Sequence, residues 1–220
     1  FGTTALMARY WGAKDYVESS KHLSSTIQLT LAISIVFSIF LYFYSYPLVA
    51  FLGLKGGALS ISALYLQYLS PFLPFLAIGL SITTGFRSIG DVKIPLIISI
   101  VMNIVGVFFM INLTHGYLGF KNYGVYGAAI GNGIALVSGA LMSFLVWYFN
   151  KAKSKYSPLF TFDLTRIKNI FEVGMPAALE QFIFQIGINA FLIIVAQYGT
   201  AAYAAYGIGI QILAFSFVIG

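Results

Sequence analysis

Cysteine is absent from the 220 residues, so disulfides, thiolate metal sites and cysteine nucleophiles are excluded. Charge is nearly as scarce. Asp and Glu number 6 and Lys and Arg 12, together 8% of the chain, against roughly 25% in soluble proteins. The 2 histidines fall in different connections, His22 and His115, and no His/Asp/Ser or His/Glu grouping recurs at ligand spacing. The Gly-x-x-x-x-Gly-Lys loop that cradles nucleotide phosphates does not occur. This inventory argues against an enzyme and calls for no cofactor; an ATP-driven pump would need its nucleotide loop on another subunit.

What is abundant is apolar. Hydrophobic residues make 60% of the chain and the mean hydropathy is +0.91. Uncharged runs cover 23–54, 56–86, 94–120, 122–150 and 181–220, each longer than the roughly 18 residues that nominate a membrane-spanning helix. The solvent is therefore lipid, and the protein belongs in a cell membrane that it crosses several times. Aromatics reach 17%, and "YFYSY" at 42–46 sits where an interfacial belt is expected. The formal charge of +6 arises from short loops between apolar runs, which is the positive-inside pattern of membrane proteins and not a nucleic-acid footprint.

These runs predict the end of one helix in 1–11, spans near 24–46, 60–86, 94–114, 124–149 and 170–197, and the start of another near 203. No signal-peptide pattern is seen, and the chain reads as a segment cut inside two helices, unable to transport by itself. The connections alternate. Those at 9–22, 87–93 and 150–168 are charged, whereas 52–60 and 114–124 are Gly-rich and nearly neutral. Of the 12 Lys and Arg, only Lys55 and Lys121 fall in the second set, so the charged loops are cytoplasmic. "FRSIGDVKIP" is then a tight cytoplasmic turn, with Gly90 and Asp91 suited to the turn and Pro95 to the first turn of the next helix. The segment 150–168, with its Lys run and Pro158, reads either as a linker between two bundles or as an ordinary long loop.

Three segments, "GTTALMARYWGAKD" (2–15), "GFRSIGDVKIP" (85–95) and "GVYGAAIGNGIA" (124–135), followed by "GMPAALEQFIF" (174–184) and "AAYGIGIQI" (204–212), resemble the multidrug and toxic compound extrusion (MATE) transporters of the wider flippase superfamily. The resemblance implies an all-α polytopic membrane helix bundle, with two six-helix lobes around a central cavity that exchange H⁺ or Na⁺ for an organic, often cationic, compound. On it, 1–149 is most of the N-terminal lobe (helices 2–6), 150–168 the cytoplasmic inter-lobe linker and 169–220 the start of the C-terminal lobe (helices 7–8). A small drug-like molecule is the implied partner. The same superfamily contains lipid-linked saccharide flippases, whose cavities should carry deep Arg or Lys; here all fall in loops or at helix ends. A membrane receptor or assembly subunit without transport is the rival from another class.

Glu180 is the one acidic residue expected deep in the bilayer, where a carboxylate costs on the order of 2.5 kcal/mol or more unless protonated, paired or facing water. It is the candidate cation site, and a Na⁺ near it is the only metal expected. Pro176, four residues before it, predicts a bend in the same helix. Gln181, Gln185 and Asn189 form a stripe about 100–180° around that helix from Glu180; the two glutamines are candidates for the cavity edge and Asn189 for a bond to a neighbouring helix. Asn103 and Asn132 are mid-span amides, equally suited to cavity lining and to interhelical bonding. Relatives often carry a second polar residue four positions after the helix-5 Asn, where this chain has Val107. They also often place the helix-7 Glu two turns after the Pro, where this chain has Phe184. Gly127, Gly131, Ala135 and Gly139 make a small-residue line for close helix packing. Pro71 and Pro74 predict a bend in the 60–86 span, with Phe72 and Phe75 beside it facing either lipid or an aromatic or cationic drug. "NLT" at 112–114 matches a glycosylation triplet by accident.

Overall fold

Each uncharged run folds as helix, because no water is available in hydrocarbon to satisfy an open backbone. The computed structural model describes residues 2–51, 56–149, 163–199 and 205–213, and no strand occurs among them. The elements are α1 (Gly2–Gly12), α2 (Tyr16–Phe51), α3 (Gly56–Leu69), α4 (Leu73–Ser88), α5 (Lys93–His115), α6 (Val125–Phe149) and α7 (Leu164–Gln197); residues 205–213 are also helical. With α3 and α4 counted as one span, five are long and apolar enough to cross a membrane. Lys55, Lys151, Lys153, Lys155 and Pro158, the 150–162 part of the expected linker, and the expected helix start near 203 lie outside the described residues.

Two helices begin earlier than hydropathy predicts. α2 starts at Tyr16 and α7 at Leu164, each about two turns ahead of its apolar run. At about 1.5 Å per residue, their 36 and 34 residues span about 54 and 51 Å, well beyond a hydrocarbon layer of about 30 Å. The extra turns are stable in water because they are capped. Asp15 Oδ1 accepts the Glu18 N–H at 3.1 Å, and Asp163 Oδ1 accepts those of Thr165 and Arg166 at 2.9 and 3.3 Å. Asp91 does the same for the first turn of α5, accepting the Ile94 N–H at 3.3 Å, while Gly90 takes the left-handed φ of 82° that the turn needs. Half of the chain's acidic residues thus serve helix starts on the face expected to be cytoplasmic. Asp15→Ala should cost about 1 kcal/mol and Asp15→Asn a small fraction of that, read by thermal unfolding in detergent.

The predicted bend in the 60–86 span is a 3₁₀ turn at Ser70–Phe72 between α3 and α4. Pro74 has no N–H to offer the Ser70 carbonyl, which instead accepts the Leu73 N–H and, from α2, the Ser38 hydroxyl at 2.6 Å. Other hydroxyls continue this seam. Thr3 pairs with Thr26 at 2.9 Å, Thr30 with Ser81 at 2.8 Å, and Ser19 donates to the Met7 carbonyl at 3.3 Å. Below it, Met7, Leu23, Ile27, Ile82, Phe86 and Trp147 form a buried core drawn from α1, α2, α4 and α6.

α5 packs chiefly on α6, and the small-residue line is what allows it. A Cβ on Gly131 would lie 2.5 Å from the Met110 nitrogen and 2.6 Å from its Cα, one on Gly127 would collide with the Leu113 carbonyl, and Gly106 of α5 faces the Ala135 methyl. "NLT" lies inside α5, where Asn112 is buried and donates to the Phe108 carbonyl at 2.7 Å.

Contacts divide the chain into two compact units, Phe1–Glu172 and Val173–Gly220, with the division falling inside α7.

Candidate functional site

The polar residues singled out from sequence fall in both units. In the first, Asn103 is exposed on α5 and donates to the Ser99 carbonyl of its own helix at 2.8 Å. Asn132 lies partly buried on α6, between Gly131 and Gly133. No hydrogen bond joins the two amides. Asn103 and Asn112 end a shallow groove of about 500 Å³ along α5, floored by Ile104, Val107, Phe108 and Ile111. Val107 therefore stands where a second polar group would face the same space, and the groove is apolar between its amides.

A second cavity, of about 350 Å³, lies between α2, α3 and α6 and is lined by Tyr42, Gln67, Tyr68, Pro71, Phe72 and Ile130. Phe72 is held there by Gly133, against which its ring packs, and Tyr68 is braced by Tyr126 at 5.5 Å between centroids. The combination of aromatic faces with one neutral amide suits a flat apolar or cationic group. Gln67 and Tyr68 were not singled out from sequence, and Tyr42 only as part of the expected interfacial belt; the signal available was that Gln67 is the only amide in the α3 run. Phe75 borders a different and smaller cavity, of about 120 Å³, together with Gly79, Thr83, Met102 and Ser143.

In the second unit, Glu180, Gln181, Gln185 and Asn189 are all exposed on α7. Asn189 makes no interhelical hydrogen bond among the described residues. Glu180 lies 16 residues after Leu164, about 24 Å along the helix, and 8 residues past Glu172, the nearest other charge on α7. Pro176 is inside this helix, one turn before Glu180.

At the start of α7 the charges are paired. Arg166 Nε and Nη2 donate to the two oxygens of Glu18 on α2 at 3.1 and 3.2 Å, and Nη1 pairs with Asp163. Lys21 completes the group, 2.9 Å from Glu18 Oε1. The Arg166 N–H, the neighbouring guanidinium and the Thr165 N–H hold the Asp163 carboxyl below the usual carboxylate range. Because the folded-state value is depressed, the stability from this cap is complete above about pH 4 and is lost only as pH falls further. His22, next in line on α2, is buried and stacked on Tyr10 at 4.8 Å.

The MatE family profile matches residues 1–111, half of the sequence. The chain belongs to the MatE family. Among relatives of the MatE chain, the probable multidrug resistance protein YoeA of Bacillus subtilis is 24% identical over 97% of this chain and 47% of its own length. The multidrug export protein MepA of Staphylococcus saprophyticus is 28% identical over the same shares, and the probable multidrug resistance protein NorM of Thermotoga maritima is 30% identical over 64% of this chain and 32% of its own. The MatE fold is also that of solved structures. The MATE transporter VcmN of Vibrio cholerae in its bent form superposes with a TM-score of 0.77 at 20% identity, over 97% of this chain and 48% of that one. An inward-facing multidrug resistance MATE family transporter gives 0.75, also at 20% identity, over 93% and 46%. The chain spans about half the length of the curated relatives it matches.

As a MatE protein with five candidate spans, it is a multi-pass membrane protein. The inside-positive orientation gives a direct test. Lys121→Cys in otherwise Cys-free protein should react with an impermeant maleimide in sealed cells, and Lys14→Cys and Arg87→Cys only after permeabilisation. Labelling of the latter two from outside would invert the topology.

Proposed function

We infer that this chain is part of a secondary antiporter that exports small organic compounds, cationic or amphipathic in character, in exchange for H⁺ or Na⁺. Three relatives named for multidrug resistance or export support the transport reading. The observation that carries the coupling is Glu180: it is the only charged residue between 173 and 220, far along an apolar helix and one turn past a proline. A lone carboxylate at such depth is retained where it binds a cation or proton and faces water. The tyrosine-lined cavity at Gln67 and Phe72 offers aromatic faces to a cationic drug, and Gln181 and Gln185 supply neutral hydrogen-bonding groups on another face of α7, around the helix from the carboxylate.

Alternating access by rocking of two lobes then opens the drug cavity and the carboxylate first to one side of the membrane and then to the other. The test is export of ethidium by the full-length protein in liposomes under an imposed pH gradient and, separately, an imposed Na⁺ gradient. Export driven by either gradient supports an antiporter and names the ion. Export that ignores both gradients removes the reading.

A further inference from the structure

Among the described residues His22 is the only ionisable side chain that is buried, at 2% exposure. It closes the extra turns of α2, at the last position before the apolar run that begins at 23. Its ring lies on that of Tyr10 of α1, with 4.8 Å between centroids and 22° between planes. Tyr10 is in turn part of the α1–α2 connection, because its carbonyl accepts the Asp15 N–H at 2.9 Å. One stacked pair therefore braces α1 against α2.

What the ring lacks is a partner at Nδ1, which is buried and makes no hydrogen bond. An orphaned polar atom in the interior carries a cost, and its retention calls for a reason. The nearby acceptors are taken. Glu18, one turn earlier on α2, is shared between Lys21 and two nitrogens of Arg166, and Asp163 is held by Arg166 and by the first turn of α7 that it caps.

Neutral His22 suits this setting and charged His22 does not. Burial pushes its pKa below the usual histidine value and Arg166 adds to the push, while Glu18 and Asp163 oppose it without cancelling it. Lys21, the adjacent residue, is the other charge on this turn, and Tyr10 is the titratable group that α1 presents. Because the folded-state value of a group that becomes charged on protonation is depressed, the junction has its full stability above about pH 6.5 and loses it as pH falls further. The carboxylates do not follow in that window. The Lys21 and Arg166 bonds hold Glu18 below its usual range and the Arg166 N–H does so for Asp163, so both stay ionised at pH 5.5.

We propose that His22 is a proton sensor at the cytoplasmic face of this protein: neutral, it locks α1 to α2 beside the Glu18–Arg166 pair, and protonated, it leaves its stack on Tyr10 for water and loosens that junction. The cytoplasmic placement rests on the inside-positive orientation, and any effect on export rests on the transport reading above. The switch itself needs neither.

The test is hydrogen exchange read by mass spectrometry on the full-length protein in lipid nanodiscs, with rates corrected for the intrinsic effect of pH. Between pH 7.5 and pH 5.5 the protection of residues 7–24 should fall about threefold or more, while that of 104–113 in α5 should hold. The midpoint of the fall should lie below about pH 6.5 and above about pH 4.5, as a histidine requires and a carboxylate does not. His22→Phe keeps a ring against Tyr10 but takes no proton, and should be equally protected at both pH values. His22→Gln, with neither ring nor charge, should be less protected than wild type at pH 7.5 and no less again at pH 5.5. Wild-type protection that ignores pH overturns the proposal, as does a midpoint near pH 4, a parallel loss at 104–113, or a fall of wild-type size in either variant. Exchange is read without flux, so failure of ethidium export alone would remove the transport reading and leave the sensor standing.

Discussion

Glu180→Gln in the full-length transporter is expected to abolish gradient-driven ethidium export while leaving insertion and stability unchanged. Glutamine keeps the length and hydrogen-bonding reach of glutamate, so packing around α7 is preserved. What it removes is a charge that can be neutralised by a proton or by Na⁺, and that exchange is the coupling step. An ionised group near the middle of a bilayer costs on the order of 2.5 to 3.5 kcal/mol by insertion scales, so its loss should if anything ease insertion. A purely structural Glu180 predicts the reverse pattern, with lower stability and intact coupling in whatever protein survives. The decisive measurement pairs efflux under a pH or Na⁺ gradient with thermal unfolding of the same preparation. Export at the unmodified rate would place Glu180 outside the coupling route.

Gly131→Ala and Gly127→Ala are expected to cost about 1–3 kcal/mol each, unusually large for a change of one methyl group. At both sites the added carbon would meet the backbone of α5 and not the end of a side chain that can rotate away: Met110 in one case and the Leu113 carbonyl in the other. The helices would have to separate along the line on which they touch most closely, and α5 would lose its main neighbour. Gly57→Ala is the matched control, because nothing lies within 4 Å of its would-be Cβ. Unfolding temperatures of the three variants in one detergent decide the matter, and a Gly131→Ala protein as stable as Gly57→Ala would show that the close approach carries no energetic weight.

The spans were legible because hydrocarbon excludes charge: the gaps between Lys, Arg, Asp and Glu fall within a few residues of α5 and α6 at both ends. The starts of α2 and α7 were not, since hydropathy reports where lipid is and not where helix begins. Asp15 and Asp163 carry that second message through their caps. The glycine line was readable from spacing alone, for it repeats on one face of a single helix. Glu180 stood out for the same simple reason, being a solitary charge in a long apolar run. The cavity of Tyr42, Gln67, Tyr68 and Phe72 could not be read in this way. Its walls come from three helices, and its shape depends on Phe72 sinking against Gly133 across an interhelical crossing that has no local signature. The departures at Val107 and Phe184 were visible in sequence, and the structure adds that Val107 faces an apolar groove.

The hydroxyl seam bears on how such a chain enters a membrane at all. Thr26 bonds the His22 carbonyl of its own helix at 2.9 Å as well as Thr3 across the interface, and Thr30 bonds the Thr26 carbonyl at 2.8 Å as well as Ser81. Each threonine thus has a partner within its own segment before any neighbour arrives. A helix carrying such groups can be released into lipid singly with its polar atoms satisfied, and can later trade solitude for company without a dehydration barrier at the moment of docking. Ionised carboxylates at the same positions, which have no proton to give a carbonyl of their own helix, would make each segment wait for its mate.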